Sequence, residues 1–348
     1  MANLLHVTNN FIIFAASKTI VVMLKDSYKT QVVGVDITHE MTNYAIVDVR
    51  GIILGRAELK TTDYPNVNDF ATALSEALVM LAEQTGGYEK IRSVGISVSS
   101  GNFLTNNIEN SKSLIWGGQV PLAAMLRDRL GLAVALANNA HVRALGEYTY
   151  GGAHGMRDFI VVTLGYGLGS CMFSQGHPHL GADGFGGEIG HTCIDPNGRM
   201  CFCGHRGCLE AYCAANGIIQ TAKELMAENS QPSLMRNCEK LTPKTIAAFC
   251  DQGDELAIEV YRRTGYILGI GLANYASVTN PEAIILTGGI SRAGKWLLVP
   301  TNESFEAHVF HNVQNKIKLL NSELSASDRD LLGAGALAWK VQEYSLFK

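Results

Sequence analysis

Alternating strand and helix patterns from Gln31 onward constrain the fold of this chain more than any other feature. The segments "QVVGVDI" and "NYAIVDVRGIILGRAEL" are typical of strands joined by a tight turn. The segment "VNDFATALSEALVMLAEQTG" has helical spacing and ends at a glycine pair, and "IRSVGISV" follows as another strand. Because such a chain buries a mostly parallel sheet beneath helices, the predicted fold class is α/β.

The second half of the chain repeats this opening. The segments "DFIVVTLG" and "GSCMFSQG" resemble the first strand pair and predict a second copy of the sheet unit. With 348 residues, 47% of them hydrophobic, the chain is long enough for two lobes. We expect a smaller lobe at 32–137, joined by a C-terminal helix at about 329–345, and a larger lobe at 138–328. Residues 1–31 form an N-terminal extension without an assigned role.

Charge and hydropathy favour a small molecule as the partner. The formal net charge is −4, and no dense cluster of Lys and Arg offers a surface to nucleic acid or to an anionic membrane. The apolar stretch "NFIIFAASKTIVVML" is interrupted by Lys18 and is far shorter than the roughly 20 apolar residues of a membrane span. We therefore expect a cytoplasmic protein with neither a nucleic-acid partner nor a membrane partner.

A dense group of cysteines predicts a metal site. All eight cysteines lie between Cys171 and Cys250, and Gly204 and Gly207 allow tight turns among them. One imidazole and three thiols make a complete tetrahedral zinc set that leaves no position for water. We predict a structural zinc in an insert at 188–210, with small buried cysteines as the alternative. The predicted ligands are His191, Cys201, Cys203 and Cys208.

Three strand ends carry candidate nucleotide-binding turns. A single glycine pair is weak evidence, because turns need glycine for ordinary steric reasons. Three such turns at the carboxyl ends of strands indicate a ligand site, since open α/β sheets bind ligands there. The candidate nucleotide-binding residues are Asp36, Gly165, Gly167, Gly169, Gly288 and Gly289.

Several longer motifs point to a known family. The run "VALANNAHVRALGEYTYGGAHGMRDFIVVTLGYGLGS", followed by "GFGGEIGH" and "CFCGHRGCLEAYC", resembles the ROK family of sugar kinases and sugar-responsive repressors. Within the family it is most similar to bacterial glucokinases of the Bacteroidetes type. The resemblance extends from about Gln31 to the C-terminus. It implies an actin-like ATPase (hexokinase-type) two-lobed fold with sugar and ATP between the lobes, and a homodimer.

The resemblance also assigns a sugar site and repeats the zinc assignment. Carboxylates and imidazoles suit this task because they form hydrogen bonds with hydroxyl groups. Glu188 and Glu210 could instead be solvated surface carboxylates, and Asn138 could serve a turn. The implied sugar-binding residues are Asn138, Glu188, His191 and Glu210.

One departure from the family concerns catalysis. The family's catalytic aspartate, which accepts the proton of the attacking sugar hydroxyl, falls on Asn139. An amide can form a hydrogen bond to the hydroxyl but cannot act as a base. Loss of general-base catalysis slows a reaction by about 10²- to 10⁴-fold. The catalytic position is therefore expected to be inactive, which would make the protein a pseudokinase.

Two phosphate loops depart as well. After Asp36 the family has a glycine pair and a threonine, and here Thr38, His39 and Glu40 stand in their place. Glu40 is expected to put a negative charge where phosphates approach. In the second loop Tyr166 replaces the family's threonine. The backbone frame of that loop is expected to survive without its ligand chemistry.

Three functions compete on these grounds. The first is a hexose-binding, glucokinase-like protein, a sensor or a partner of active paralogues, that has lost most ATP-dependent phosphotransfer. The second is a working glucokinase that uses ATP and Mg²⁺ on a hexose such as glucose. The third is a ROK repressor. The resemblance implies that a repressor carries a winged helix-turn-helix domain, and the residues before Gln31 are too few for one, so this hypothesis requires a truncated sequence.

Overall fold

The computed structural model describes residues 29–341, which form thirteen strands and nine α-helices. The strands are β1 (Gln31–Ile37), β2 (Met41–Asp48), β3 (Ile53–Lys60), β4 (Ile91–Val98), β5 (Gly101–Asn102), β6 (Asn107–Glu109), β7 (Gln119–Val120), β8 (Ala133–Ala137), β9 (Phe159–Leu164), β10 (Leu168–Ser174), β11 (His177–Pro178), β12 (Ala283–Thr287) and β13 (Lys318–Asn321). The helices are α1 (Val67–Gln84), α2 (Leu122–Leu130), α3 (Asn139–Tyr150), α4 (Glu210–Cys213), α5 (Ala215–Glu228), α6 (Pro243–Asp251), α7 (Glu255–Thr279), α8 (Lys295–His308) and α9 (Arg329–Lys340).

Some sequence predictions fall outside this range. The N-terminal extension up to residue 28 and the end of the predicted C-terminal helix, beyond residue 341, lie outside the described residues. Among the helices from α1 to α9, none has both the length and the apolar character that crossing a bilayer requires.

The first sheet has the strand order β3-β2-β1-β4-β8. Strands β1, β2 and β3 form an antiparallel meander, with Val35 opposite Tyr44. Strands β1, β4 and β8 are parallel, with Val35 opposite Ile96. Apolar residues of β1 and β4 pack with the buried side of α1 and α2, which explains their nearly continuous hydrophobic sequence.

The second sheet repeats the same topology. Its order is β11-β10-β9-β12-β13, in which β9, β10 and β11 are antiparallel and β9, β12 and β13 are parallel. Each strand thus has a counterpart in the first sheet, and the predicted second copy of the unit is confirmed. Helices α5, α6, α7 and α8 supply most of the apolar core on one face.

The C-terminal helix α9 joins the two halves through glycine contacts. A Cβ atom at Gly34 or Gly95 would clash with backbone oxygens of α9, so this helix lies directly on β1 and β4. On its other side Gly333 meets the backbone of α3, where a Cβ would also clash. Helices α3 and α9 therefore pack together between the sheets, and Asn139 and Arg329, at their first turns, border the cleft between the sheets.

Candidate ligand-binding cleft and metal centre

One cleft between the two sheets gathers the predicted sugar-binding and nucleotide-binding residues. Its volume is about 540 Å³, which lies within the range of small-molecule sites. The carboxyl ends of β1, β9 and β12 open into it, as expected for an α/β sheet. The predicted site residues that line it are Asp36, Asn138, Asn139, Gly165, Gly167, Gly169, Glu188, His191, Glu210, Gly288 and Gly289.

The start of α3 places two amide side chains at the cleft. Asn138 is the N-cap residue, and its Oδ1 accepts a hydrogen bond from the Ala140 amide at 2.8 Å. Asn138 thus has the local backbone role that the sequence analysis gave as an alternative to ligand binding. Its Nδ2 group remains available to donate a hydrogen bond to a ligand. Asn139 is half-buried and, within residues 29–341, its side chain has no hydrogen-bond partner. It can orient a hydroxyl group but cannot remove its proton.

Two carboxylates stand at one side of the cleft. Glu210 begins α4, and its Oε2 accepts a hydrogen bond from the Leu168 amide at 2.8 Å, which ties the second loop to the insert. Glu188 precedes a short 3₁₀ turn and keeps much of its side chain exposed. Partial desolvation raises the pKa of Glu188, the nearby His191 opposes this rise, and Glu210 adds to it.

The insert brings all four predicted metal ligands together. Their donor atoms lie within 4.8 Å of one another. The Cys203 and Cys208 sulfurs are 3.6 Å apart, and His191 Nδ1 is 3.8 Å from the Cys201 sulfur. Zinc–sulfur bonds of about 2.3 Å in a tetrahedron place sulfurs about 3.8 Å apart, so the residues fit a zinc ion.

Local backbone geometry explains this convergence. Gly207 has a φ of +75°, and a Cβ there would clash with the Asp195 backbone oxygen, so the turn before Cys208 requires glycine. His191 also lines the cleft. With Nδ1 facing Cys201, its Nε2 is left for a ligand, so one ring can serve both assignments made from the sequence.

The two phosphate loops differ in how they present side chains. Gly165 donates a backbone hydrogen bond to the Gly167 oxygen at 3.0 Å, so the second loop is a closed turn. Tyr166 is 79% exposed and lines the cleft beside this turn. In the first loop His39 lines the cleft, whereas Glu40 does not.

A buried group of charges at the floor of the cleft was missed from the sequence. Arg143 of α3 donates two hydrogen bonds to Asp330 of α9, from Nε to Oδ1 at 2.5 Å and from Nη2 to Oδ2 at 3.2 Å. Arg329 donates from Nη1 to the Thr287 hydroxyl at 3.1 Å. Both arginines line the cleft. The position of Arg143, four residues after Asn139 on α3, was the one local signal that could have revealed it.

Asp36 belongs to the same group. The Ser97 hydroxyl donates to its Oδ1 at 2.7 Å. Burial, together with the charge of Asp330, raises the pKa of Asp36 to about 6, against the opposing effects of Ser97, Arg143 and Arg329. For Asp330, burial is outweighed by Arg143, which holds the pKa of Asp330 below its usual range.

Comparison with known proteins agrees with this geometry. The sequence profile of the ROK family matches residues 32–341. The chain is 32% identical over 325 residues to the glucokinase of Halalkalibacterium halodurans, covering 91% of this chain and 97% of that protein. It is also 31% identical over 223 residues to the DNA-binding transcriptional dual regulator NagC of Escherichia coli, covering 64% of this chain and 53% of NagC.

A solved structure supports the fold assignment. A ROK family glucokinase from Streptomyces griseus, in complex with glucose and AMPPNP, superposes with a TM-score of 0.73 at 27% identity, covering 89% of this chain and 100% of that one. The predicted actin-like ATPase fold in two lobes is thereby confirmed. The chain belongs to the ROK family, as a glucokinase-like sugar kinase or repressor.

Proposed function

We propose that this protein binds a hexose such as glucose in the cleft and transfers phosphate from ATP slowly or not at all. The observation that carries the proposal is Asn139. It lies at the first position of α3 and borders the cleft, and the family resemblance places the catalytic aspartate at this position. Because an amide accepts no proton, the sugar hydroxyl would have to attack the phosphate without a base.

Hexose binding is supported by the polar groups at one side of the cleft. Glu188 and Glu210 offer carboxylate oxygens, and the free ring nitrogen of His191 and the Nδ2 of Asn138 add further partners. Such groups pair with neighbouring hydroxyls of a pyranose. A zinc ion on His191, Cys201, Cys203 and Cys208 would fix the insert that carries Glu188 and Glu210.

In this proposal no other carboxylate replaces the missing base. Glu188 and Glu210 bind sugar hydroxyls, and the Leu168 amide holds one oxygen of Glu210. Asp36 belongs to β1, and its Oδ1 is held by Ser97. A general base must lie within hydrogen-bond reach of the attacking hydroxyl, and the family's position for it is filled by Asn139.

A working ATP-dependent kinase is the second candidate, and one observation favours it. The Tyr166 side chain is largely exposed, so the loop from Gly165 to Gly169 keeps an open backbone frame for phosphates. ATP and Mg²⁺ would then occupy the side of the cleft bordered by Gly288 and Gly289. A cytoplasmic location and a homodimer are part of both proposals.

Calorimetric titration of the full chain with glucose, mannose and N-acetylglucosamine tests the proposal. We expect at least one of these sugars to bind without ATP, and Glu188→Gln to weaken that binding. The same preparation is assayed for glucose-dependent ADP formation. Binding without turnover supports the proposal, turnover at ordinary enzyme rates selects the second candidate, and the absence of both overturns the two kinase-like functions.

A further inference from the structure

We propose that Cys193 is a site of reversible oxidation, at which hydrogen peroxide joins its sulfur to that of Cys208 in a disulfide and removes Cys208 from the predicted zinc set. Cys193 lies two residues after His191 and has no part in the sugar, nucleotide or zinc sites. The oxidation involves only the peroxide and two thiols of the chain, so it depends on neither hexose binding nor phosphate transfer.

The backbone holds Cys193 directly opposite Cys208 in an antiparallel bridge. The two flanking hydrogen bonds run from the Leu209 amide to the Thr192 oxygen at 3.0 Å and from the Ile194 amide to the Gly207 oxygen at 2.8 Å. This pattern is that of a non-hydrogen-bonded pair, in which the Cα atoms are about 4.5 Å apart and the side chains lie on the same face. Disulfides span Cα separations of this size, so a bond between the two sulfurs requires side-chain rotation without a large movement of the backbone.

The Cys193 sulfur already lies over the opposite segment. A Cβ atom added at Gly207, the residue before Cys208, would be 3.1 Å from Cys193 Sγ. Because glycine has no side chain, the space between the two cysteines stays open. Gly207 thus allows the turn of the metal centre and also leaves room for the Cys193 sulfur.

The thiols differ in their access to solvent. Cys193 is exposed, whereas Cys208 is 1% exposed, so a dissolved peroxide reaches Cys193 first. Cys203 is exposed as well, but it belongs to the predicted zinc set, in which a sulfur shares its electron pair with the metal. Cys193 lies outside that set, so its sulfur keeps the electron pair that attacks a peroxide.

The proposed chemistry takes two steps and consumes one molecule of hydrogen peroxide. The Cys193 sulfur attacks a peroxide oxygen, the O–O bond breaks, and Cys193 becomes a sulfenic acid while water is released. The Cys208 sulfur then attacks the Cys193 sulfur, the S–O bond breaks, and the departing hydroxide takes up a proton to leave as a second water. The two thiols together lose two electrons and two protons, which reduce the peroxide to water.

Disulfide formation should weaken metal binding and the sugar site beside it. Cys208 is one of four predicted ligands, and a sulfur held in a disulfide cannot bind zinc as a thiolate. Glu210 lies two residues after Cys208, and Glu188 lies three residues before His191, so both carboxylates depend on the folded insert. The effect on sugar binding rests on the proposed function, whereas the disulfide and the loss of metal do not.

The test treats the zinc-loaded full chain with hydrogen peroxide. Disulfides are mapped by mass spectrometry of peptides prepared without reduction, and released zinc is measured with a chromogenic chelator. We expect a crosslink between Cys193 and Cys208, with zinc released at the same rate as the crosslink forms. Dithiothreitol and added zinc should then restore both thiols and the metal content, because a disulfide is reversible whereas sulfinic and sulfonic acids are not reversed by thiols.

The variant Cys193→Ser locates the effect. It removes the exposed thiol and keeps all four predicted ligands, so its zinc content and melting temperature should match those of wild type before oxidation. Under peroxide, zinc should leave this variant about fivefold or more slowly than wild type, since Cys208 has lost its partner. Cys238→Ser is the matched control, because Cys238 lies outside the cluster, and it should behave as wild type.

The proposal is overturned if no crosslink forms, if the wild-type map joins Cys203 to Cys208 instead, or if wild type and Cys193→Ser release zinc equally fast. A protein purified without zinc contradicts the metal assignment, while the peptide map still tests the disulfide. Calorimetric titration with glucose before and after oxidation separates this proposal from the proposed function. If the reduced protein binds no hexose, the proposed function fails, and a crosslink between Cys193 and Cys208 still supports the oxidation site.

Discussion

The two ends of the cleft offer a ligand different chemistry. The hexose end is formed by Asn138, Glu188, His191 and Glu210, the residues to which the family resemblance assigns sugar binding, and all four line the cleft. The phosphate end is formed by Asp36, Asn139, Arg143, Thr163, Arg329 and the loops around Gly165 and Gly288. It has glycine turns, the amide of Asn139 where the family resemblance places the base, and a partly buried ion pair between Arg143 and Asp330.

This difference distinguishes what sugar binding requires from what phosphoryl transfer requires. Sugar binding requires that donors and acceptors match hydroxyl groups, and in the proposed function the four polar side chains of the hexose end supply them. Phosphoryl transfer also requires a positioned base and compensation of developing charge on the phosphate. Under the proposed function the phosphate end has the amide of Asn139 at the position of the base, and its two arginines form hydrogen bonds with Asp330 and Thr287. The proposed function therefore describes one cleft that binds a hexose without transferring phosphate to it.

Removing a ligand from the metal centre should have the largest effect on the hexose end. Cys203→Ala breaks the predicted zinc set, so the insert should lose its metal and the melting temperature should fall by about 5 °C or more. Cys238→Ala is the matched control, because this thiol lies outside the four-residue cluster. Elemental analysis and thermal unfolding give the two readouts. A wild-type protein without zinc after metal-sparing purification would contradict the assignment.

Neutralising a carboxylate at the hexose end should weaken sugar binding. Glu188→Gln exchanges a charged acceptor for a neutral one, and we expect hexose affinity to fall by about tenfold. Glu76→Gln, on the exposed side of α1, is the control and should leave affinity unchanged. Calorimetry measures both. Equal affinities for wild type and Glu188→Gln would remove this carboxylate from the sugar site.

Substitution of Asp36 at the phosphate end should have a smaller effect on stability, and that effect should depend on pH. Burial and Asp330 raise the pKa of Asp36 from 3.8 to about 6, so this group contributes most to stability at low pH and progressively less as the pH rises from about 4 to 6. Asp36→Asn mimics the protonated form. Its melting temperature should exceed that of wild type by about 2 °C or more at pH 7.5 and match it near pH 4.5.

Thermal unfolding across this pH range measures the effect of Asp36→Asn. Asp63→Asn serves as the control, because Asp63 is exposed and forms only a surface ion pair with Lys60. Destabilisation by Asp36→Asn at pH 7.5 would show that the ionised carboxylate is needed by Arg143 and Arg329, and would contradict the pKa assignment.

Much of the fold could be predicted from the sequence because its signals are local. The apolar runs of β1, β4, β9 and β12 are buried strands, and their sequences are almost continuously hydrophobic for that reason. Helix α8 was not predicted, since Pro300 lies inside it. Packing explains its stability, because Gly265 and Gly269 of α7 bring the two backbones close together.

The parts of the candidate site that lie close together in the sequence could be predicted from it. The His191 and cysteine cluster lies within 18 positions, and its members converge in the structure. The spacing of Arg143 from Asn139 is a local signal for one member of the buried charge group, but its partner Asp330 lies 187 positions away, so the ion pair itself could not be predicted from the sequence. The exposure of a side chain could not be predicted either. The sequence places Tyr166 inside a loop, but only the structure shows that this residue is 79% exposed.

Turnover is the most direct test of the central claim. Purified wild type, Asn139→Asp and a variant combining Asn139→Asp with Thr38→Gly, His39→Gly, Glu40→Thr and Tyr166→Thr are assayed for glucose phosphorylation by magnesium ATP. A preparation of the wild-type protein without zinc controls for contaminating kinases. We predict no turnover above background for wild type and no restoration by Asn139→Asp alone, with recovery confined to the combined variant. Wild-type phosphorylation of glucose at about 10 per second, an ordinary enzyme rate, would contradict the account.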